Sequence, residues 1–253
     1  MTPGFPDLAG RVAVVTGGSG SIGAATCRLF AANRMRVVVV GRDEKTLEEV
    51  REQAWNTGGE AICAVADCTD PAALRALVAQ VDGEFGGTDV LAAFAGGNGA
   101  PTPSLELSAQ RWHEVIDGDL TSAFLTVQAF APGMVARGRG SVITMSSAAG
   151  RQPSKANVAY AVAKAGVVML TRHLALELAG TGVRINCLAP STVRNTKLEG
   201  ALTPDRIEAL GRAYPLGRIG EPDDVAAAAA YLASDASGWV TGQTLDITGG
   251  KVG

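Results

Sequence analysis

Short runs of Val, Ile and Ala recur along the chain, separated by longer amphipathic or Ala-rich segments. The runs predict strands near Val12–Thr16, Arg36–Val40, Ala61–Ala66, Val90–Ala95, Ser141–Ser146, Arg184–Leu188 and Thr244–Ile247, with helical stretches between them. Within a run the apolar residues are consecutive rather than alternate, so each strand is expected to be covered on both faces. That is the pattern of an α/β protein: a Rossmann-like, doubly wound parallel sheet of about seven strands with helices on either side. No repeat, low-complexity tract or linker interrupts it, so residues 1–253 are expected to form a single domain. In such sheets ligands bind beyond the carboxyl ends of the strands. The loops Gly97–Pro103 and Pro190–Pro204, after the fourth and sixth strands, therefore belong beside a site.

Composition narrows the class. Of the 253 residues 47% are hydrophobic and 19% charged, with a net charge of −3, which describes a globular protein and gives no reason to expect a nucleic-acid partner. The longest uncharged apolar run, Val225–Ala233, is too short to cross a bilayer, so no membrane partner is expected. Residues 1–9 lack the basic start and apolar stretch of a secretory signal, and the expected compartment is cytoplasmic. Cys27, Cys63, Cys68 and Cys187 form no C-x-x-C pair and sit in or beside apolar stretches, as buried, reduced cysteines do. His113 and His173 lack neighbouring ligands at metal spacing, so neither a metal site nor a Ser-His-Asp hydrolase is expected.

Two patterns carry chemistry. TGGSGSIG, Thr16–Gly23, follows the first strand directly and opens a helix. Glycines there permit a tight turn and close approach of backbone to a pyrophosphate, whose charge the helix N-terminus stabilises. Gly17, Ser19, Gly20, Ser21, Ile22 and Gly23 are thus candidates for dinucleotide binding. The second pattern is Tyr160 and Lys164 in YAVAK, with Ser147 upstream in MSSAAG. A phenol in water ionises near about pH 10, so a tyrosine acting as general acid or base near neutrality needs its phenolate stabilised by roughly 4 kcal/mol. On a helix over Ser154–Ala179, residues four apart share a face, and the Lys164 ammonium can approach the Tyr160 oxygen.

With these motifs in this order, the chain resembles the short-chain dehydrogenase/reductase family, in the style of bacterial 3-oxoacyl-[acyl-carrier-protein] reductases. The resemblance runs from Gly10 to Gly250 through the glycine turn, Asp67 in ADCTD, Ser147, Tyr160 and Lys164, NCLAP (Asn186–Pro190) and the tail from GRIGEPDDVA to LDITGG. It implies Gly17, Ser19 and Ile22 around the pyrophosphate and Asp67 with Cys68 beside the adenine. It implies Ala95 and Gly96 near the adenosine ribose, and Pro190 and Val193 flanking the nicotinamide carboxamide. Tyr160 would exchange a proton with the substrate oxygen and Ser147 would hydrogen-bond it. Lys164 would hold the nicotinamide ribose and favour the phenolate. Without the resemblance, Asp67 reads as a helix cap before Pro71, a role it could share with Asp70.

Several positions depart from the family pattern. Ser21 replaces a glycine of the turn, and Ala93-Phe94-Ala95-Gly96 stands where relatives have N-N-A-G, with Phe94 expected in the core. Asp119, in DGDLTSAF, falls where the resemblance places a catalytic asparagine that helps carry protons from the lysine to solvent. A carboxylate there would favour the Lys164 cation and disfavour a nearby phenolate, so weaker or alkaline-shifted activity is expected; the bland alternative is a surface acid on a helix. Ser191 stands for the usual glycine after Pro190, and Asn195 or Thr196 takes the place of a threonine that reaches the carboxamide.

The coenzyme can be read from charge. NAD-preferring relatives end the second strand in an acidic residue that grips the ribose hydroxyls, whereas this chain has Gly41 and Arg42. Arginine can bind a 2′-phosphate, so NADP(H) is favoured over NAD(H), although Asp43 and Glu44 could pair with Arg42 and blunt the preference. The expected activity is hydride transfer between NADP(H) and a ketone, 3-oxoacyl group or secondary alcohol, with a carrier-bound thioester as a further substrate candidate. Arg194 and Lys197, in the lid-like stretch 190–214, are candidate anchors for an acidic one. The alternatives are an NAD-dependent alcohol or polyol dehydrogenase of the same fold, and a catalytically weak nucleotide-binding regulatory protein. A homo-oligomer, dimer or tetramer, is expected from the resemblance, through Arg111–Arg137 and Ser154–Gly180.

Overall fold

A computed structural model describes residues 4–251. Seven strands form one sheet: β1 (Val12–Thr16), β2 (Arg36–Gly41), β3 (Glu60–Val65), β4 (Val90–Ala93), β5 (Gly140–Met145), β6 (Val183–Pro190) and β7 (Thr244–Ile247). Their order is β3-β2-β1-β4-β5-β6-β7, and all neighbours are parallel. The order reverses between β1 and β4, which opens a crevice at their carboxyl ends. Between the strands run helices α1 (Ser21–Ala32), α2 (Glu44–Trp55), α3 (Pro71–Phe85), α4 (Ala109–Ile116), α5 (Ser122–Arg137), α6 (Val158–Glu177), α7 (Thr196–Ala201), α8 (Pro204–Gly211) and α9 (Pro222–Ala233).

Both faces of the central strands are buried, as their unbroken Val and Ala runs predict. Ala13, Val15, Val37 and Val39 pack with Phe30 of α1, Leu47 of α2 and Ala229 of α9. Val12, Val14, Val38 and Val40 face the other way, onto Leu77 of α3 and Phe130 and Met134 of α5. Phe94 lies in the first of these cores, where the sequence puts it.

The predicted strands are all present; β1 and β7 keep their predicted bounds and the other five shift at one or both ends. β4 stops at Ala93 rather than Ala95 because the Thr16 hydroxyl accepts from the Phe94 and Ala95 amides (3.0 and 3.2 Å) and takes them out of the ladder. β6 runs on to Pro190 because β7 pairs with it as far as Pro190 and Ile247. The helix predicted over Arg111–Arg137 is interrupted. A π-helical turn, Asp117–Thr121, separates α4 from α5 and carries Asp119.

Candidate active site

The glycine turn joins β1 to α1 at the crevice. Gly17 has φ +64°, and a Cβ on it would stand 2.8 Å from the Phe94 carbonyl oxygen; only glycine suits this position. Gly20 caps α1, Ser21 is its first residue, and a Cβ on Gly23 would run into the Gly17 carbonyl. The turn is therefore built as an open backbone cradle beneath a helix N-terminus, the shape that suits a pyrophosphate. Ile22 is half-buried against the core. Ser19 and Arg42 are exposed, and the Ser19 hydroxyl lies 3.5 Å from where a Cβ on Gly41 would project.

Asp43 caps α2, its carboxylate accepting from the Thr46 amide at 2.8 Å, a bond that holds its carboxyl below the usual range, and among the described residues no ion pair joins it to Arg42. Asp67 accepts from the Thr69 amide (2.9 Å) and hydroxyl (2.7 Å), and these bonds, aided by the Arg42 charge, hold its carboxyl below the usual range. The cap before Pro71 is Asp70, not Asp67: Asp70 accepts from the Ala72 amide at 2.8 Å. Cys68 is buried beside it, with burial pushing its thiol up.

All four cysteines are free; Cys27, Cys68 and Cys187 are buried, and Cys63 is half-buried. No group of three or more His, Cys, Asp or Glu among the described residues is placed to hold a metal.

Across the crevice, α6 presents Tyr160 and Lys164 on one face. Lys164 Nζ lies 5.5 Å from the centre of the Tyr160 ring and donates to the Met145 carbonyl at the end of β5 (2.9 Å). Ser147 follows β5 directly. Its hydroxyl accepts from the Ala149 amide at 3.2 Å and reaches the Pro190 carbonyl at 3.5 Å. The structure thus brings the tyrosine, lysine and serine to the carboxyl ends of β5 and β6, opposite the glycine turn.

Asp119 is not a surface acid. It is fully buried, and its carboxylate forms an ion pair with Lys164 Nζ at 3.1 Å, the two side chains being 0% and 3% exposed. The same carboxylate accepts from the Gly97 amide (2.7 Å), the Asn98 amide (3.2 Å) and the Asn98 side-chain amide (2.8 Å). A buried charge is tolerated only when paired and hydrogen-bonded, and Asp119 has both kinds of partner. Gly96, at φ +135°, passes so close that a Cβ would collide with Asp119 and stand 3.3 Å from Lys164 Nζ. Ala95, beside it, is half-buried.

On the lid side, Val193 is buried and bridges to Gly220. The Asn195 side chain caps α7 by accepting from the Leu198 amide (2.9 Å) and donates to the Val193 carbonyl (2.9 Å). Thr196 is the exposed first residue of α7. Arg194 is held by Glu221 (3.0 and 3.1 Å) and Glu199 (3.5 Å), which removes it as a free anchor for an acidic substrate. Ser191, at the usual glycine position, shares a 3.0 Å hydrogen bond with the Tyr214 hydroxyl, which also accepts from the Thr192 amide at 3.4 Å.

Three residues that the sequence covers only as parts of stretches near the site, Asn98, Asn157 and Tyr214, also take part. Tyr214 has no motif around it. Asn157 caps α6, accepting from the Tyr160 amide at 2.9 Å, and an asparagine three positions before a predicted helical tyrosine is a signal that could have found it. Asn98 carries none, because its role depends on a partner 21 residues away.

A family model described as "Enoyl-(Acyl carrier protein) reductase" matches residues 17–251. The chain belongs to the short-chain dehydrogenase/reductase family. It is accordingly an oxidoreductase acting on CH–OH and C=O groups, in a family that uses NAD(P). A cis-4-hydroxycyclohexanecarboxylate dehydrogenase of Sinomonas cyclohexanicum is 38% identical over 243 residues, 96% of this chain and 97% of that one. The 3-oxoacyl-[acyl-carrier-protein] reductase FabG of Vibrio cholerae is 32% identical over 245 residues, 96% and 98% of the two chains. Among solved structures, a levodione reductase superposes with a TM-score of 0.91 at 29% identity, covering 96% of this chain and 97% of that one. Among the described residues, no helix of this short-chain dehydrogenase/reductase is long and apolar enough to cross a membrane.

Proposed function

We propose that the protein interconverts an uncharged ketone and its secondary alcohol using NADP(H), with Tyr160 as the proton donor in the reductive direction. The observation that carries this reading is Lys164 held 5.5 Å from the centre of the Tyr160 ring, across the crevice from a glycine cradle. The turn fits a dinucleotide: a side chain on Gly17 would strike the Phe94 backbone and one on Gly23 the Gly17 carbonyl, so glycine alone lets the turn close this tightly at the α1 N-terminus. Bound coenzyme would supply the hydride for the carbonyl carbon. Tyr160 gives its phenolic proton to the substrate oxygen, Ser147 orients that oxygen, and Lys164 places positive charge beside the phenol. The phenol is then reprotonated from solvent. Pro190 and Val193 flank the nicotinamide side, and Asp67 with Cys68 the adenine side.

NADP(H) is favoured because Arg42 and the Ser19 hydroxyl flank Gly41 with Asp43 already used as a cap. Replacing Arg42 by Ala is expected to raise the KM for NADPH about tenfold to a hundredfold, the loss of one charge-assisted bond, and to leave that for NADH unchanged. Equal effects on both coenzymes would remove Arg42 from coenzyme choice.

An uncharged substrate is favoured over an acidic one or a carrier thioester because Arg194 is bound by Glu221 and Glu199 and Arg151 by Asp246 (3.1 and 3.2 Å), which leaves the exposed Lys197 alone of the two candidate anchors. The name of the Sinomonas relative joins a ring alcohol to a carboxylate, so alicyclic alcohols and ketones, with and without a carboxylate, are the first compounds to try. The deciding experiment is turnover of a panel of ring and open-chain ketones, alcohols and an acyl thioester with both coenzymes. Preference for NADH would establish the NAD-dependent alternative. Tight NADPH binding with no turnover of any compound would establish the regulatory one.

The protein is also proposed to be a homo-oligomer acting in the cytoplasm. Val162, Met169 and Leu176, seven residues apart along α6, are exposed, as are Phe124 and Val135 on α5. Such an apolar stripe suits a second copy of the chain. Light scattering should give a dimer or tetramer of the 25.8 kDa chain, and a monomer at micromolar concentration would contradict it.

A further inference from the structure

The loop after β4 is gripped from two sides. From below, Asp119 accepts from the Gly97 and Asn98 amides and from the Asn98 side chain. From above, the Asn157 side-chain amide donates to the Asn98 carbonyl (2.8 Å) and the Ala100 carbonyl (3.0 Å). The oxygen of the same Asn157 side chain accepts from the Tyr160 amide. Between the two grips, Gly99 lies against the phenol: a Cβ there would stand 3.1 Å from the Tyr160 ring. Asn157 is 1% exposed, so its three bonds are made without competition from water.

We propose that Asn157 and Asn98 are positioning residues that couple the buried Lys164–Asp119 pair to the Tyr160 ring through the loop Gly97–Ala100. Asn157 acts through both ends of its amide. Its oxygen fixes where α6 begins, and its nitrogen fixes the loop wall that the ring leans on. Asn98 fastens the same wall to the carboxylate that holds Lys164. The phenol and the ammonium are thereby referred to one piece of backbone, although they stand on different turns of α6. An error of about 1 Å in a reacting group can lower a rate about a hundredfold, so a wall made of glycine and alanine needs such fastening.

Because the coupling concerns Tyr160 as proton donor, it rests on the proposed ketone reduction through Tyr160, and the test separates the two. Asn157→Ser keeps a helix-capping oxygen but is too short to donate to both loop carbonyls, whereas Asn157→Ala loses the cap as well. Each is compared with the wild-type chain by melting, by NADPH turnover of the ketone panel and by amide hydrogen exchange of residues 97–100.

The expected result is that Asn157→Ser melts close to wild type yet loses about tenfold to a hundredfold in kcat at unchanged KM for NADPH, with exchange of the loop amides at least tenfold faster. Asn98→Ala should show the same exchange and kcat changes. If the asparagine only caps the helix, Asn157→Ser keeps wild-type turnover and loop protection while Asn157→Ala alone is destabilised, and the proposal is overturned. Wild-type enzyme that turns over no carbonyl overturns the proposed ketone reduction, and the exchange rates still decide whether the loop is clamped as described.

Discussion

Tyr160→Phe is expected to lower kcat by about a thousandfold while leaving the melting temperature and NADPH affinity near their wild-type values. The substitution removes one oxygen and keeps the ring, so the Lys164 ammonium retains its aromatic neighbour and Gly99 its packing surface. Among the described residues the Tyr160 hydroxyl makes no hydrogen bond, so folding loses none with it. What disappears is the proton donor alone. Steady-state kinetics with NADPH and the best ketone of the panel, with coenzyme binding measured by fluorescence on the same preparation, separate the two effects. A variant that keeps more than a tenth of wild-type kcat would show that the proton comes from elsewhere.

The largest effect on stability is expected from Lys164→Met. Methionine fills much of the volume of the lysine stem, but the Asp119 carboxylate is left buried with no counter-charge. Breaking a buried pair from one side costs about 3–5 kcal/mol, which for a chain of this size is a fall in Tm of roughly 6–20 °C. Turnover should fall at least about a hundredfold as well, since the charge beside the phenol is lost. Adding Asp119→Asn to the same variant removes the stranded charge and should restore more than half of the lost stability with none of the lost turnover. That pattern, measured as a double-mutant cycle, distinguishes an electrostatic penalty from a cavity, which the second substitution would not repair. A single variant that melts within 2 °C of wild type would mean that the amides of Gly97 and Asn98 suffice to hold the carboxylate.

The strands were legible because parallel strands buried on both faces leave unbroken apolar runs, and β1 begins and ends where its run does. β4 ends early because the Thr16 hydroxyl intervenes, and no periodicity reports such a bond. The glycine turn and the tyrosine, lysine and serine were legible because their spacing is local to one turn or one helix face. Asp119 was legible as a departure from a pattern but not as a buried partner. Its run, DGDLTS, reads as the polar face of a helix until the π turn and the opposing α6 are known. Arg194 shows the reverse case. It looked like a free charge on a lid, and two glutamates, one of them 27 residues away, claim it.

The π-helical turn at Asp117–Thr121 has a bearing on how such a chain can change. A π turn holds one residue more than the α-helix around it. Deleting one residue of that turn would let α4 and α5 join as one regular helix, since the wider turn is what absorbs the extra residue, and would remove the bulge that carries Asp119 towards Lys164. The carboxylate beside Lys164 therefore depends on the count of residues as well as on their identity. Substitutions can alter the charge at this position, whereas a shift in length would take the position itself away.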